Sequence, residues 1–367
     1  MLRRVLLMCV ALGCNAGRGE ASPPWMMSSA GGGEDDDDDD PTGDPLTTSG
    51  SDAQTGPFAD DDHGDDGSSA GPPTEDDGPS GSTGDGTAEG GSDDDGPPPP
   101  DCPENCYCEP IDPEADISDL EQAFNGDNWA DTYFGVLGRR WPAGRDLLVE
   151  EQDDPYFGAF TDTSSFEGLM DSVMTEVHEG THGWDYSNAT VDDFAYFLRG
   201  DLQFFPPKVH GFDRSEIYGM IEDGSTDLYA GTYLTGTQGT YGFYELLDEG
   251  NCYINGMGGI AVVGEYIPFG ISGRDGAVAF IYYLELYLRR ARTQYPDLYA
   301  DLKAETDYVD LVRTQWLRMH FLLQYADMHP HIGIEDAAIR ELMYAPANQA
   351  EIEMFIDHEL DASNCLP

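Results

Sequence analysis

Positive charge is scarce in this sequence. Lysine and arginine account for only 17 of its 367 residues, against 72 aspartates and glutamates, which gives a formal net charge of −55. Proteins that bind nucleic acid or an anionic membrane surface neutralise phosphates with cations. The composition therefore argues against nucleic acid as a partner and against electrostatic binding to a membrane.

Long apolar runs are also missing, and no segment is long enough to cross a bilayer, which takes roughly 20 apolar residues. Residues 5–12 form a short apolar run after Arg3 and Arg4, which is typical of an export signal. The small residue before Cys14 resembles the cleavage site of bacterial lipoproteins, whose cysteine is lipidated. We therefore predict a signal peptide over residues 1–14 and a lipid anchor on Cys14 at the bacterial cell envelope. Because Leu12 fits that site imperfectly, ordinary secretion is the alternative.

Residues 15–101 have few apolar side chains and consist mostly of Gly, Ser, Thr, Pro and Asp. This composition cannot bury enough apolar surface to offset the entropy of ordering, so we predict a disordered, extended and self-repelling linker. The aspartate run at 35–40 lacks the glycine and the final glutamate of an EF-hand loop, so any calcium binding there should be weak.

Five cysteines follow this linker and its signal: Cys102, Cys106, Cys108, Cys252 and Cys365. Export implies an oxidising compartment. We predict that Cys365 and the three clustered cysteines at 102–108 form two disulfides, whose pairing the sequence leaves open. Cys252 is then a small buried residue. A metal site at the cluster is the weaker alternative, because no histidine is near.

Residues 102–367 are predicted to form one folded domain of helix-dominant α+β class, zincin-like with a helical C-terminal part. Apolar periodicity predicts helices over 117–124, 164–184, 243–253, 277–292, 308–325 and 334–343, and strands over 196–198 and 202–205. The segment 227–234 is ambiguous between strand and helix. Ser164 and Glu167 fit a capping box at the start of the second helix.

This second helix carries His178 and His182, four residues apart and therefore on one face, where both can bind one metal ion. Glu179 lies beside them and can act on a water in an open coordination position. The pattern His-Glu-x-x-His resembles the zincin metallopeptidases. The resemblance implies Zn²⁺ as cofactor, although manganese or cobalt could use the same ligands. It also implies a role for Glu179 as general base.

Zincins differ in their third ligand. The long metzincin form requires glycine at 185 and histidine or aspartate at 188, whereas this chain has Asp185 and Asn188. The resemblance is therefore to the gluzincins, which take a glutamate from a later helix. We favour Glu249, because its segment is a convincing helix in which a buried carboxylate needs a reason. Glu222 or Asp223 is the alternative, in a segment that glycines weaken as a helix.

Two supporting roles are also expected. Asp185 could accept a hydrogen bond from a metal-bound histidine. A donor should stabilise the oxyanion of the transition state, and the candidates are Tyr253, His210, His329 and His331.

These features predict a surface-tethered zinc metallopeptidase that acts on a peptide or protein substrate through a metal-activated water. The alternative is a non-enzymatic surface-binding lipoprotein, whose 11% aromatic residues could form a binding face. The sequence specifies neither the cleavage specificity nor the oligomeric state.

Overall fold

The structure, a computed structural model, describes residues 102–103, 105–222, 227–360 and 365. The predicted signal peptide, the lipidated Cys14, the linker over 15–101 and the alternative ligand Asp223 lie outside the described residues. No helix within the described part combines the length and the apolar character needed to span a membrane.

Helices dominate the described residues, and the only sheet among them has two strands, which confirms the helix-dominant α+β class. The α-helices are α1 (Ser118–Ala123), α2 (Trp129–Arg140), α3 (Pro142–Glu151), α4 (Phe166–Asn188), α5 (Ala230–Tyr233), α6 (Phe243–Ala261), α7 (Gly273–Gln294), α8 (Pro296–Ala304), α9 (Thr306–Ala326), α10 (Asp336–Met343) and α11 (Pro346–Ile356). The strands are β1 (Tyr196–Arg199) and β2 (Leu202–Phe204). Short 3₁₀ helices cover Gly126–Asn128, Arg214–Met220, Gln238–Thr240, Gly264–Tyr266 and Pro330–Ile332.

The predicted helices and both strands are present, and the ambiguous segment contains the short helix α5. The predicted capping box is wrong by one residue. Ser165 caps α4, because its hydroxyl accepts the amide of Gly168 at 3.0 Å, whereas the amide of Ser164 donates to Asp162 at 2.9 Å.

Four helices were not expected from periodicity: α2, α3, α8 and α11. Three of them begin with a proline, namely Pro142, Pro296 and Pro346. Proline is well suited to the first helical position, because its fixed φ is already helical and its missing N–H would have no partner there. These prolines are the sequence feature from which the starts of α3, α8 and α11 could have been predicted.

Helix α6 lies at the centre of the fold and packs against α4, α7 and α9, so it is buried along nearly its whole length. Its glycines allow close approach. A Cβ at Gly258 would come 2.6 Å from the indole of Trp141, and one at Gly256 would come 3.0 Å from the carbonyl oxygen of Met174 in α4. This explains why α6 continues past its predicted end at Tyr253: the glycines serve helix packing and do not end the helix.

The hairpin of β1 and β2 is antiparallel, and β1 is held against both central helices. The amide of Phe197 donates to Asp185 of α4 at 2.7 Å. The carbonyl of Phe197 accepts from Asn251 and Asn255 of α6, at 2.9 and 3.0 Å. These buried bonds fix the lateral position of α6 relative to α4, which is the relation that builds the site below.

A buried ion pair and one of two disulfides join the start of the domain to later parts of the chain. Arg318 of α9 donates to Glu109 at 3.1 Å, and both side chains are inaccessible to solvent. Cys102 pairs with Cys108, and Cys106 with Cys365. The prediction of two disulfides among these four cysteines is confirmed. Cys252 is a buried free thiol, also as predicted.

Candidate metal centre

Three side chains from two packed helices converge at the centre of the domain. His178 and His182 lie one turn apart on the face of α4 that meets α6, and Glu249 projects from α6 between them. Glu249 Oε2 lies 4.0 Å from His178 Nε2 and 3.6 Å from His182 Nε2. All three potential ligand atoms lie within 4.8 Å of one another, so one ion placed among them would reach every ligand. The structure thus brings together the two histidines and the glutamate that the sequence singled out.

Burial makes this cluster unusual. His178, His182 and Glu249 each retain less than a tenth of their accessible surface, and Glu249 Oε2 has no hydrogen-bond partner among the described residues. A buried carboxylate oxygen without a partner is costly. A divalent cation bound by the three residues would remove that cost. The donor set of two imidazoles and one carboxylate suits zinc in a catalytic site.

The two histidines differ in protonation. Burial, with the neighbouring His182, lowers the pKa of His178 to about 3, so its ring is neutral and ready to bind a metal. Burial acts most strongly on the pKa of His182 and lowers it, but Asp248 and Cys252 together outweigh burial and raise that pKa well above its ordinary value. Burial acts to raise the pKa of Glu249, yet His182 and Arg214 hold it below its usual range. Metal binding would therefore displace a proton from His182.

Asp248 is the residue that orients His182. Its Oδ2 atom lies 2.9 Å from Nδ1 of the imidazole. Because an ionised carboxylate only accepts, Nδ1 carries the proton and Nε2 is directed to the cluster with Glu249. The prediction had given this orienting role to Asp185, which is wrong as a direct contact. Asp185 accepts from the amide of Phe197 and from Asn251 instead.

A second group of potential ligands, His182, Asp248 and Cys252, overlaps the first. It uses the Nδ1 side of His182, which the hydrogen bond to Asp248 already occupies. Burial raises the pKa of the Cys252 thiol well above its usual value, so the sulfur is a neutral donor at 3.8 Å from Asp248. We therefore interpret this group as support for His182.

Glu179, which follows His178 in α4, lines a small acidic cavity that none of the three potential ligands lines. Burial raises its pKa to about 7, which the charge of His182 partly opposes. The cavity is also lined by Glu151, Asp154 and Glu176. Burial raises the pKa of Glu151 to about 7 as well. A carboxylate with a pKa near neutrality can both accept and return a proton at physiological pH.

Tyr253 lies next to His178, and Tyr233 lies next to Tyr253. The ring of Tyr253 packs edge-on against His178 with centroids 4.5 Å apart, and its hydroxyl shares a 2.7 Å hydrogen bond with Tyr233. Burial raises the pKa of both phenols well above the ordinary value, so both keep their protons. The ring of Tyr186 lies 6.3 Å from that of His182. The sequence indicated Tyr253 but gave no signal for Tyr233, which a separate loop helix brings in.

The remaining predicted residues lie elsewhere. Glu222 is exposed, and its amide donates to Tyr282, so it belongs to no ligand group among the described residues. His210 lies 3.2 Å from Asp213. His331 lies 2.8 Å from the carbonyl of Gly264, and the ring of His329 lies 5.9 Å from that of His331.

Comparison with known proteins gives no further assignment: no protein-family model, no curated protein and no solved structure matches this chain. The site is therefore described from its residues alone. It consists of the buried His178, His182 and Glu249, with Glu179 next to His178 in the chain.

Proposed function

We propose that this protein is a zinc-dependent metallopeptidase, in which His178, His182 and Glu249 hold the metal and Glu179 is the general base. The observation that carries the proposal is the buried Oε2 of Glu249, which has no hydrogen-bond partner among the described residues and lies 4.0 and 3.6 Å from the Nε2 atoms of two histidines one helical turn apart. A divalent cation among these three side chains would give that carboxylate oxygen the close partner that it lacks.

Each neighbouring residue has a definite task in peptide hydrolysis. Zn²⁺ bound by the three ligands would supply a Lewis acid that polarises the scissile carbonyl and acidifies water. Glu179, with its pKa near 7, takes the proton from the attacking water and passes it to the leaving amine. Asp248 holds His182 in the required tautomer. The protonated hydroxyls of Tyr233 and Tyr253 are the nearest candidates to donate to the developing oxyanion.

The charge of the protein favours basic substrates. The cavity beside Glu179 is lined by three further carboxyl groups, those of Glu151, Asp154 and Glu176. That cavity measures about 20 Å³, which is room for a water molecule but not for a substrate side chain. The preference therefore rests on the formal net charge of −55, which attracts basic peptides and repels acidic ones. With the export signal and linker predicted for residues 1–101, we propose an enzyme held at the bacterial cell envelope that cleaves basic peptides.

The test measures metal content and hydrolysis together. Purified protein offered zinc should retain about one ion per chain, because the ligand set is preformed. His182→Ala and Glu249→Ala should each lose the ion. Glu179→Gln should keep the ion and lose hydrolysis of a basic peptide library, by on the order of 10²–10⁴-fold.

Three results would count against the proposal. Hydrolysis that survives Glu179→Gln would remove Glu179 from the mechanism. Zinc that survives Glu249→Ala would remove the third ligand. Failure of the wild type to bind zinc at all would favour the non-enzymatic surface-binding protein.

A further inference from the structure

A cavity near the start of the domain is lined by arginine, in a protein where lysine and arginine are rare. It measures about 330 Å³ and lies between the disulfide-bonded segment at 102–108, the β1–β2 hairpin and α9. Arg199 and Arg313 both line it, and none of the described lining residues is acidic. With only 17 lysines and arginines against 72 acidic residues, two arginines and no carboxylate among the described lining residues of one cavity are not expected from composition.

The two arginines are in different states. Arg199 is already paired: its Nε lies 2.6 Å from Asp201, and its Nη1 donates to the carbonyl of Cys108 at 3.1 Å. Arg313 forms no ion pair with any carboxylate of the described residues, and its one side-chain hydrogen bond among them is a long one, from Nη2 to Oδ1 of Asn105 at 3.5 Å. Its Nε is buried and has no hydrogen-bond partner in that part of the chain. Among the described residues, the cavity therefore has about one positive charge without a carboxylate partner, and one donor without an acceptor.

The shape and chemistry define the ligand. A volume of about 330 Å³ is near the lower end of small-molecule sites, and it suits a side chain or a very short peptide. Leu202, Leu317 and Tyr107 supply apolar surface, which strengthens an ion pair by lowering the local dielectric. The planar fork of a guanidinium group matches the two oxygens of a carboxylate.

We propose that this cavity is a carboxylate-binding site in which Arg313 is the main recognition group and Arg199 the second. It shares no residue with the metal centre, so it stands whether or not the chain is a peptidase. The carboxylate can come from a separate acidic peptide or from the protein's own aspartates at 93–95, seven residues before the segment that lines the cavity.

The test is fluorescence anisotropy on the full chain at near-physiological salt. The probe is a labelled Asp-Asp-Asp-Gly peptide, the sequence at 93–96, and Asn-Asn-Asn-Gly is the neutral control. We expect binding of the aspartate peptide only. Arg199→Gln with Arg313→Gln should weaken it by about tenfold or more, as expected for the loss of charge-assisted bonds.

A matched variant controls for global charge. Arg139→Gln with Arg145→Gln removes the same two charges from α2 and α3, where Arg139 pairs with Asp119 on the surface, and should change the affinity by less than about twofold. Unchanged melting temperature and zinc content in both double variants would show that each is folded.

A third variant identifies the source of the carboxylate. Tighter binding of the probe by Asp93→Asn, Asp94→Asn, Asp95→Asn than by the wild type would show that the chain's own aspartates occupy the site. Equal binding would assign it to an external ligand. The proposal is overturned if neither of these two proteins binds the probe, or if the Arg199 and Arg313 double variant binds as well as the wild type.

Discussion

Three buried carboxyl groups of this protein, those of Asp248, Glu249 and Glu285, differ in their partners. Asp248 and Glu249 are consecutive residues of α6, yet one orients a histidine and the other is directed at the cluster of potential ligands. Glu285 of α7 is different, because it is fully buried and neither carboxyl oxygen has a hydrogen-bond partner among the described residues. Asp248 and Glu249 lead to a prediction about metal affinity, and Glu285 leads to a prediction about how stability depends on pH.

Asp248→Asn should weaken zinc binding by about 10–100-fold, because the amide no longer stabilises the Nδ1–H tautomer and the basicity of His182 falls. Competition with a chromogenic chelator measures the affinity. Cys252→Ser is the matched control, since the thiol contacts the other oxygen of Asp248 at 3.8 Å. That variant should bind zinc as the wild type does, and a large loss would instead place the ion among His182, Asp248 and Cys252.

Glu285→Gln should stabilise the protein above neutrality. Burial raises the pKa of Glu285 well above its ordinary value, which Arg289 only partly opposes. Because the folded pKa exceeds the unfolded one, the carboxyl does not penalise folding below its unfolded pKa, and the penalty grows as the pH rises toward the folded value. The variant should therefore melt higher than the wild type at pH 8, with a difference that shrinks toward pH 4. A constant difference across that range would contradict the protonation argument.

At the scale of elements, the site depends on how closely α4 and α6 approach. Gly256 faces α4 where a Cβ would lie 3.0 Å from the carbonyl oxygen of Met174 and 3.4 Å from the Cβ of His178. Gly250, on the same helix, has no atom nearer than 3.7 Å to such a Cβ. Replacing either glycine with alanine changes the helix propensity of α6 equally. Only the replacement at Gly256 would push α4 and α6 apart.

Gly256→Ala should lower both the melting temperature and the zinc affinity, because backbone atoms cannot yield as a flexible side chain would. Gly250→Ala should leave zinc binding intact and gain up to about 1 kcal/mol of helix stability. Equilibrium urea unfolding and chelator competition measure the two quantities. Equal behaviour of the two variants would show that the spacing of α4 and α6 does not control the site.

For the whole molecule, the two disulfides differ greatly in the length of chain they enclose. Cys106 and Cys365 are separated by 259 positions and join the start of the domain to its last described residue, whereas Cys102 and Cys108 are separated by 6. A cross-link restricts the unfolded chain more when the loop is longer, so the disulfide between Cys106 and Cys365 should contribute more to stability.

Cys106→Ser with Cys365→Ser should lower the free energy of unfolding by about 2–5 kcal/mol, and Cys102→Ser with Cys108→Ser by less. Urea unfolding of the two double variants beside the oxidised wild type gives both values. If removing the Cys102–Cys108 disulfide lowered the free energy of unfolding more, local packing at 102–108 would outweigh the loop entropy of the Cys106–Cys365 disulfide.

Local sequence was enough to predict much of this protein, because its strongest signals depend on near neighbours. Apolar residues at steps of three and four marked α4 and the C-terminal helices, and His178, Glu179 and His182 were visible because a four-residue step places two side chains on one helical face. The four cysteines of the disulfides were recognisable from their positions at the domain ends, but their pairing was not.

Tertiary structure decided what depends on long-range contact. Glu249 and Glu222 were both plausible partners for the histidines, and only the packing of α6 on α4 separated them, since Glu249 comes 67 positions after His182 in the chain. The sequence had suggested Asp185 as the partner of His182, and the packing instead places Asp248 there. It also brings Tyr233 beside Tyr253. Periodicity reports which face of a helix is buried, but the residue that meets that face is determined by the whole arrangement of helices.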